Sequence, residues 1–258
     1  MTREGGRIRC ERRGHRADIV IERREARNAL TWAMYDELES MLADVADDRD
    51  TRVLVIRGAG RTFSAGTDIA QFAEFQSADD GIAYERRIER VVARLATQYM
   101  PTLAVVEGIA AGAGLLLSAA CDLRVCTPDA RFGAPIARTL GNTLSVASLR
   151  RLIALLGAAR VRTLLLTATL LDAHEALACG FASAIVAPTD LDAHVDALCE
   201  RLLAHAPLTM QTTKHGIDRV IEGQSEDEDL LRLVYGSADF ADGVSAFRDK
   251  RPPKWEGR

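Results

Sequence analysis

Short β-type apolar runs alternate with helix-spaced apolar faces through the first half of the chain. Asp18 to Glu22, D-I-V-I-E, predicts a strand, and Thr31 stands where a hydroxyl can cap a helix whose Met34, Leu38, Met41, Leu42 and Val45 share one face. A second strand is predicted over Arg52 to Arg57, R-V-L-V-I-R. The turn G-A-G-R-T-F-S-A-G-T-D-I follows it, and then a charged helix from Glu85 to Ala96, ended by Pro101. Thr102 to Val106 reads as a third strand, leading through a stretch of small residues into a helix over Gly112 to Ala120. Two units therefore share one plan: a strand, a turn of small residues, and a helix beyond that turn.

Beyond Ser145 the pattern is mostly helical. Leu149, Leu152, Ile153 and Leu156 fall on one face, Asp172 and Glu175 have the spacing of a capping box, and Gly180 is placed as a stop. No linker or low-complexity segment divides the chain, and the closing R-P-P-K-W-E-G-R reads as an irregular tail.

Composition narrows the function. The 258 residues are 48% hydrophobic, enough for a substantial core and, by expectation, one α/β domain. A formal charge of −4 and the absence of a basic stripe argue against a nucleic-acid partner. Only three of the 33 basic residues are lysines, Lys214, Lys250 and Lys254, so phosphate binding in the first two hundred residues must rely on arginine or backbone amides. Cys10, Cys121, Cys126, Cys179 and Cys199 form no C-x-x-C pair and read as reduced packing residues. The opening M-T-R-E-G-G-R-I-R-C is too polar for a signal-peptide core, and no apolar run approaches a membrane span, so a cytoplasmic protein without membrane contact is expected. His15, His174, His194, His205 and His215 show no metal-ligand spacing, and no metal is implied.

Gly and Ala let a backbone or ligand approach closely, and a helix starting at such a turn directs unpaired N–H groups outward. Gly108 to Gly114 lacks the G-K-S/T of a P-loop and the G-x-G-x-x-G of a dinucleotide site. An oxyanion hole or close helix packing remains. The second turn, Ser64-Ala65-Gly66-Thr67-Asp68, offers another amide that could converge on the same oxygen.

Six motifs occur in order: R-N-A-L at Arg27 to Leu30, T-F-S-A-G-T-D-I at Thr62 to Ile69, E-G-I-A-A-G-A-G at Glu107 to Gly114, C-D-L-R at Cys121 to Arg124, F-G-A-P at Phe132 to Pro135, and D-G-V-S-A-F-R-D-K-R at Asp242 to Arg251. With them the chain resembles the crotonase, or enoyl-CoA hydratase/isomerase, superfamily over nearly its whole length. The resemblance implies an α/β fold built as a spiral of ββα units, here residues 1–190, with a helical trimerisation region at 191–258, the two forming one family-level domain. It implies a homotrimer or a dimer of trimers. It also implies an acyl-CoA substrate, with coenzyme A as part of that substrate and no permanently bound cofactor.

By the same resemblance, the backbone amides of Thr67 and Ala113 hold the thioester oxygen, the second in place of a usual glycine. Arg24, Arg27, Ala65, Asp68, Ile69 and Lys214 are expected along the coenzyme. Gly112, Leu116, Pro135 and Ile136 are expected to line the pocket. The family's hydratases use two glutamates, and their positions here carry Leu116 and Ile136, neither of which can transfer a proton. Glu107 precedes the loop and reads as structural. Arg138, Asn142 and Thr143 are the substitutes for substrate-orienting groups, or alternatively part of a turn and helix cap, with Ser145 a third capping candidate. Asp79, Asp80, Tyr84 and Glu85 are expected on a solvated lid.

Overall fold

Alternation in the aliphatic strands sets the layers. In the computed structural model, which describes residues 5–258, strands β1 (Arg7–Arg13) and β2 (Arg16–Glu22) form an antiparallel hairpin turned at Gly14, whose φ of +58° suits a residue without a Cβ. Helix α1 (Trp32–Asp47) follows, with Thr31 accepting from the Met34 N–H as its cap. Next come β3 (Val53–Gly58), α2 (Ala78–Ala96), β4 (Thr102–Val106), the short β5 (Ile109–Ala111), α3 (Ala113–Ala120), β6 (Leu123–Cys126) and β7 (Arg131–Gly133). The second half is helical: α4 (Ile136–Thr139), α5 (Val146–Leu156), α6 (Ala158–Leu166), α7 (Ala173–Ala178), α8 (Leu191–Leu203), α9 (Pro207–Ile221), α10 (Glu228–Tyr235) and α11 (Ala238–Asp249), with two-residue strands β8 (Leu171–Asp172) and β9 (Ala184–Ile185) before and after α7.

The main sheet runs β1-β2-β3-β4-β6-β9 and is parallel except at β1. A small sheet, β5-β7-β8, stands beside it. Because both faces of the sheet's centre are covered, β3 and β4 are apolar on both sides. Leu54, Ile56, Ala104 and Val106 face the larger core beneath α1, α2 and α3, whereas Val53, Val55, Leu103 and Val105 face Leu191, Val195 and Cys199 of α8. Ion pairs from Arg16 to Asp196 and from Arg57 to Asp192 add to the seating of α8 on the sheet. The first helix beyond residue 190 is thus part of the sheet's own packing.

Several expectations shift in detail. The polar N-terminal stretch, of which residues 1–4 lie outside the described residues, contains β1, an edge strand whose charged side chains hid its pairing potential. Helix α2 begins seven residues before Glu85, because Ser77 and Asp80 form a capping box that starts the helix at Ala78. It also ends at Ala96, before Pro101 is reached. Ser145 caps α5, and the Asp172–Glu175 capping box opens α7. The tail after α11 is irregular but anchored: buried Asp239 accepts hydrogen bonds from the Glu256 and Gly257 amides.

Candidate active site

The two small-residue turns meet as backbone. Ser64 donates its N–H to the Ile109 carbonyl and accepts from the Ala111 N–H, both at 2.9 Å, and Phe63 N–H donates to the Glu107 carbonyl. This stitching leaves no room for a side chain at Gly66 or Gly114. A Cβ on Gly114 would stand 2.4 Å from the Ser64 carbonyl oxygen, and one on Gly66 would stand 2.8 Å from the Ala111 oxygen and 3.4 Å from the Ala113 nitrogen. Gly66 (φ +103°) and Gly112 (φ +53°) also adopt backbone conformations that disfavour any other residue.

Buried Asn28 holds the first turn from behind. Its side-chain amide donates to the Ala59 and Thr62 carbonyls, its Oδ1 accepts from the Arg23 N–H, and its own carbonyl accepts from Ser64 Oγ. Leu30 N–H donates to the Gly66 carbonyl and Asp68 N–H to the Leu30 carbonyl. Thr67, between them, directs its amide to neither. Among the described residues no hydrogen bond from Thr67 N–H or Ala113 N–H reaches another residue. Ala113 is the first residue of α3, where helix geometry leaves the amide unpaired and the dipole favours an anion. Two free amides on touching backbone segments can accept one oxygen on which negative charge develops. The Ala113 methyl is buried in the main core.

Thr67 contributes a second feature that the sequence did not reveal. Its hydroxyl lies 2.6 Å from the hydroxyl of Tyr35 on α1 and 3.0 Å from that of Tyr84 on α2. Tyr35 is fully buried. Tyr84 is partly buried in an aromatic cluster with Trp32, Phe72 and Phe75, its ring centroid 4.8 Å from that of Phe72 in an edge-on contact. Burial pushes the Tyr84 phenol up to about 12 and that of Tyr35 well above the usual range, so both hydroxyls keep their protons at neutral pH. Tyr84 is therefore a packed wall residue rather than a solvated lid residue. Helical spacing of Tyr84 with Ile88 and Val91 was the signal available for this.

Other candidates fall into separate places. Asp68 accepts from Arg23 at 2.7 Å and from the Ala70 N–H, capping a short 3-10 turn, while Ala65 N–H donates to the Arg27 carbonyl and Ile69 is exposed. Arg23, the partner of Asp68, is a residue that motif matching passed over. The Arg24 and Arg27 side chains are exposed, and Arg27 has a left-handed φ of +51°. Leu116 is buried in the core, the partly buried Ile136 packs against that core, and Pro135 caps the short α4. Arg138, Asn142 and Thr143 are exposed and make no side-chain hydrogen bond to either turn.

Lys214 sits at the opposite end of α3 from Ala113. Its buried ammonium donates to Asp122 at 2.9 Å and to the Met100 carbonyl. Glu107 faces Arg57 and Arg61 at 3.9 Å each. Glu85 is only half-exposed: it accepts from the Ser145 N–H at 3.0 Å, and burial, with Glu89 nearby, raises its pKa. Among the described residues, no group of three His, Cys, Asp or Glu side chains converges for a metal ion.

Comparison with known proteins identifies the family. The sequence profile described as Enoyl-CoA hydratase/isomerase matches residues 12–258. The chain is 35% identical over 245 residues to the "Probable enoyl-CoA hydratase echA6" of Mycobacterium leprae, covering 93% of this chain and 95% of the relative. It is 28% identical over 247 residues to the short-chain-enoyl-CoA hydratase of Clostridium acetobutylicum, with 93% and 94% covered. Among solved structures, an enoyl-CoA hydratase/carnithine racemase from Magnetospirillum magneticum superimposes with a TM-score of 0.91 at 29% identity, over 97% of this chain and 96% of that one.

Proposed function

The chain belongs to the enoyl-CoA hydratase/isomerase family, and on that premise we propose that it is an acyl-CoA enzyme that stabilises a thioester enolate without the two-glutamate chemistry of hydration. The carrying observation is the pair of unpartnered amides, Thr67 N–H and Ala113 N–H, on backbone segments held in contact by Gly66 and Gly114. A thioester oxygen seated between them gains charge as the α-carbon is deprotonated or loses a carboxyl group. Each preorganised donor is worth roughly 3–4 kcal/mol at that stage.

The tiny residues at the crossing thus serve close approach by backbone and ligand together. Ala65, Asp68 and Ile69, with Arg24 and Arg27, form the edge along which the coenzyme is proposed to lie, whereas the buried Lys214 ion pair makes that residue a support of α9. Leu116, Ile136 and Pro135 make the pocket wall apolar where the resemblance implies proton-transferring carboxylates. Hydration of a simple enoyl thioester is therefore slow, and decarboxylation, C–C bond cleavage or isomerisation through other residues fits the site better. The same apolar wall favours a second reading, an acyl-CoA-binding protein with reduced turnover.

Steady-state assays on crotonyl-, malonyl- and 3-oxoacyl-CoA, with calorimetric binding alongside, separate the two. Turnover on a carboxylated or 3-oxo thioester supports the enzyme, and binding without turnover supports the binding protein. Brisk hydration of crotonyl-CoA would overturn both. We also propose a homotrimer, supported by exposed apolar residues on α9 to α11, including Val220, Tyr235 and Phe247.

A further inference from the structure

The hydroxyl chain Tyr35–Thr67–Tyr84 has a direction. Three hydroxyls carry three protons, and two hydrogen bonds between them use two. The third must leave the chain somewhere. Tyr35 is 1% exposed, and Thr67 is the only hydrogen-bond partner of its hydroxyl among the described residues, so a proton left there would be buried without an acceptor. A proton left on Thr67 would need a third partner around an oxygen already flanked by two phenols. Tyr84 has a single hydroxyl neighbour and is partly exposed, so the chain runs from Tyr35 through Thr67 to Tyr84, whose proton points outward.

The outward donor stands beside the candidate oxyanion turn. Covalent geometry keeps the Thr67 hydroxyl within about 4 Å of the Thr67 nitrogen. With the Tyr84 hydroxyl 3.0 Å further on, the phenol lies within roughly 7 Å of the amide. The thioester oxygen already has two amide donors, so a third donor at this distance suits a second oxygen on the acyl group. Trp32, Phe72 and Phe75 around the Tyr84 ring supply an apolar wall for the remaining acyl chain.

We propose that Tyr84 donates a hydrogen bond to an oxygen on the β-carbon of the acyl group, selecting 3-oxoacyl thioesters with an apolar remainder, and that Tyr35 is the positioning residue that fixes this polarity through Thr67. The inference rests on the thioester reading above.

Calorimetric titration of the full chain with acetoacetyl-CoA and with butyryl-CoA, which lacks the β-oxygen, tests it. The wild type is expected to bind acetoacetyl-CoA on the order of tenfold more tightly, the size of one well-made hydrogen bond to a neutral ketone oxygen. Tyr84→Phe is expected to erase that preference with butyryl-CoA affinity unchanged. Tyr35→Phe is expected to reduce the preference, again without changing butyryl-CoA affinity, whereas a merely structural role would weaken both ligands alike. Equal binding of the two thioesters by the wild type, or a preference that survives Tyr84→Phe, would overturn the proposal while leaving the thioester reading intact. Binding of neither thioester would overturn both. If Tyr84→Phe fails to fold, Thr67→Val and the conservative Thr67→Ser provide the second comparison: the first is expected to lose the preference and the second to keep it.

Discussion

Substituting alanine for Gly66 perturbs the crossing of the two turns with a single methyl group. At φ +103° an L side chain is strained, at a cost of about 1–3 kcal/mol. The new Cβ would also stand 2.8 Å from the Ala111 oxygen, closer than carbon and oxygen normally approach. Ala111 cannot yield freely, since its N–H donates to Ser64 and β5 pairs with β7. Overpacking adds about 1–3 kcal/mol more, for a total near 4 kcal/mol. In a chain of this size that lowers the unfolding midpoint by roughly 8–16 °C. The added Cβ also lies 3.4 Å from the Ala113 nitrogen, so relaxation that moves the second turn away shifts that amide and acyl-CoA affinity should fall as well.

Gly81→Ala is the control: it lies within α2 with nothing within 4 Å of the added methyl and should raise stability by about 0.5–1 kcal/mol. Differential scanning fluorimetry with and without an acyl-CoA reads both effects. A Gly66→Ala protein with the native midpoint and native affinity would refute the claim that this contact shapes the site.

Replacing both Leu116 and Ile136 by glutamate should raise crotonyl-CoA hydration by at least about a hundredfold, followed at the enoyl absorbance band. Lys214→Met leaves the partly exposed Asp122 without its cation but still bonded to Thr102, and should cost about 1–3 kcal/mol by denaturant titration. Burial pushes Cys121 up to about 12 and Cys126 and Cys199 up to about 11, so a thiol reagent at pH 8 should spare these three in the native protein and find five free thiols after unfolding. Glu85 has a raised folded pKa, so its destabilising contribution is absent below its unfolded value and develops as pH rises through the folded one. Glu85→Gln should accordingly raise the unfolding midpoint more at pH 7 than at pH 4.

The strands and the two turns were legible because their signals are local. Val53 to Ile56 and Thr102 to Val106 are β-branched or aliphatic, and the glycines at 66, 112 and 114 mark positions where a Cβ would meet backbone or demand a strained φ. Strand β1 escaped notice because an edge strand tolerates charge on its open side. The start of α2 was hidden by Asp79 and Asp80, which resemble loop residues until Asp80 is seen to accept from the Ser77 amide. Tyr35, Thr67 and Tyr84 are widely separated in sequence, and no spacing rule connects them; only the packing of α1 and α2 beside the first turn does. The ion pair of Lys214 with Asp122 was likewise invisible, since the two are 92 positions apart.

The central claim is tested most directly by a crystal structure with a non-hydrolysable acyl-CoA analogue. The expected result is a thioester-position oxygen within hydrogen-bond distance of both Thr67 N and Ala113 N. An analogue whose carbonyl lies elsewhere, with both amides still unpaired, would contradict it.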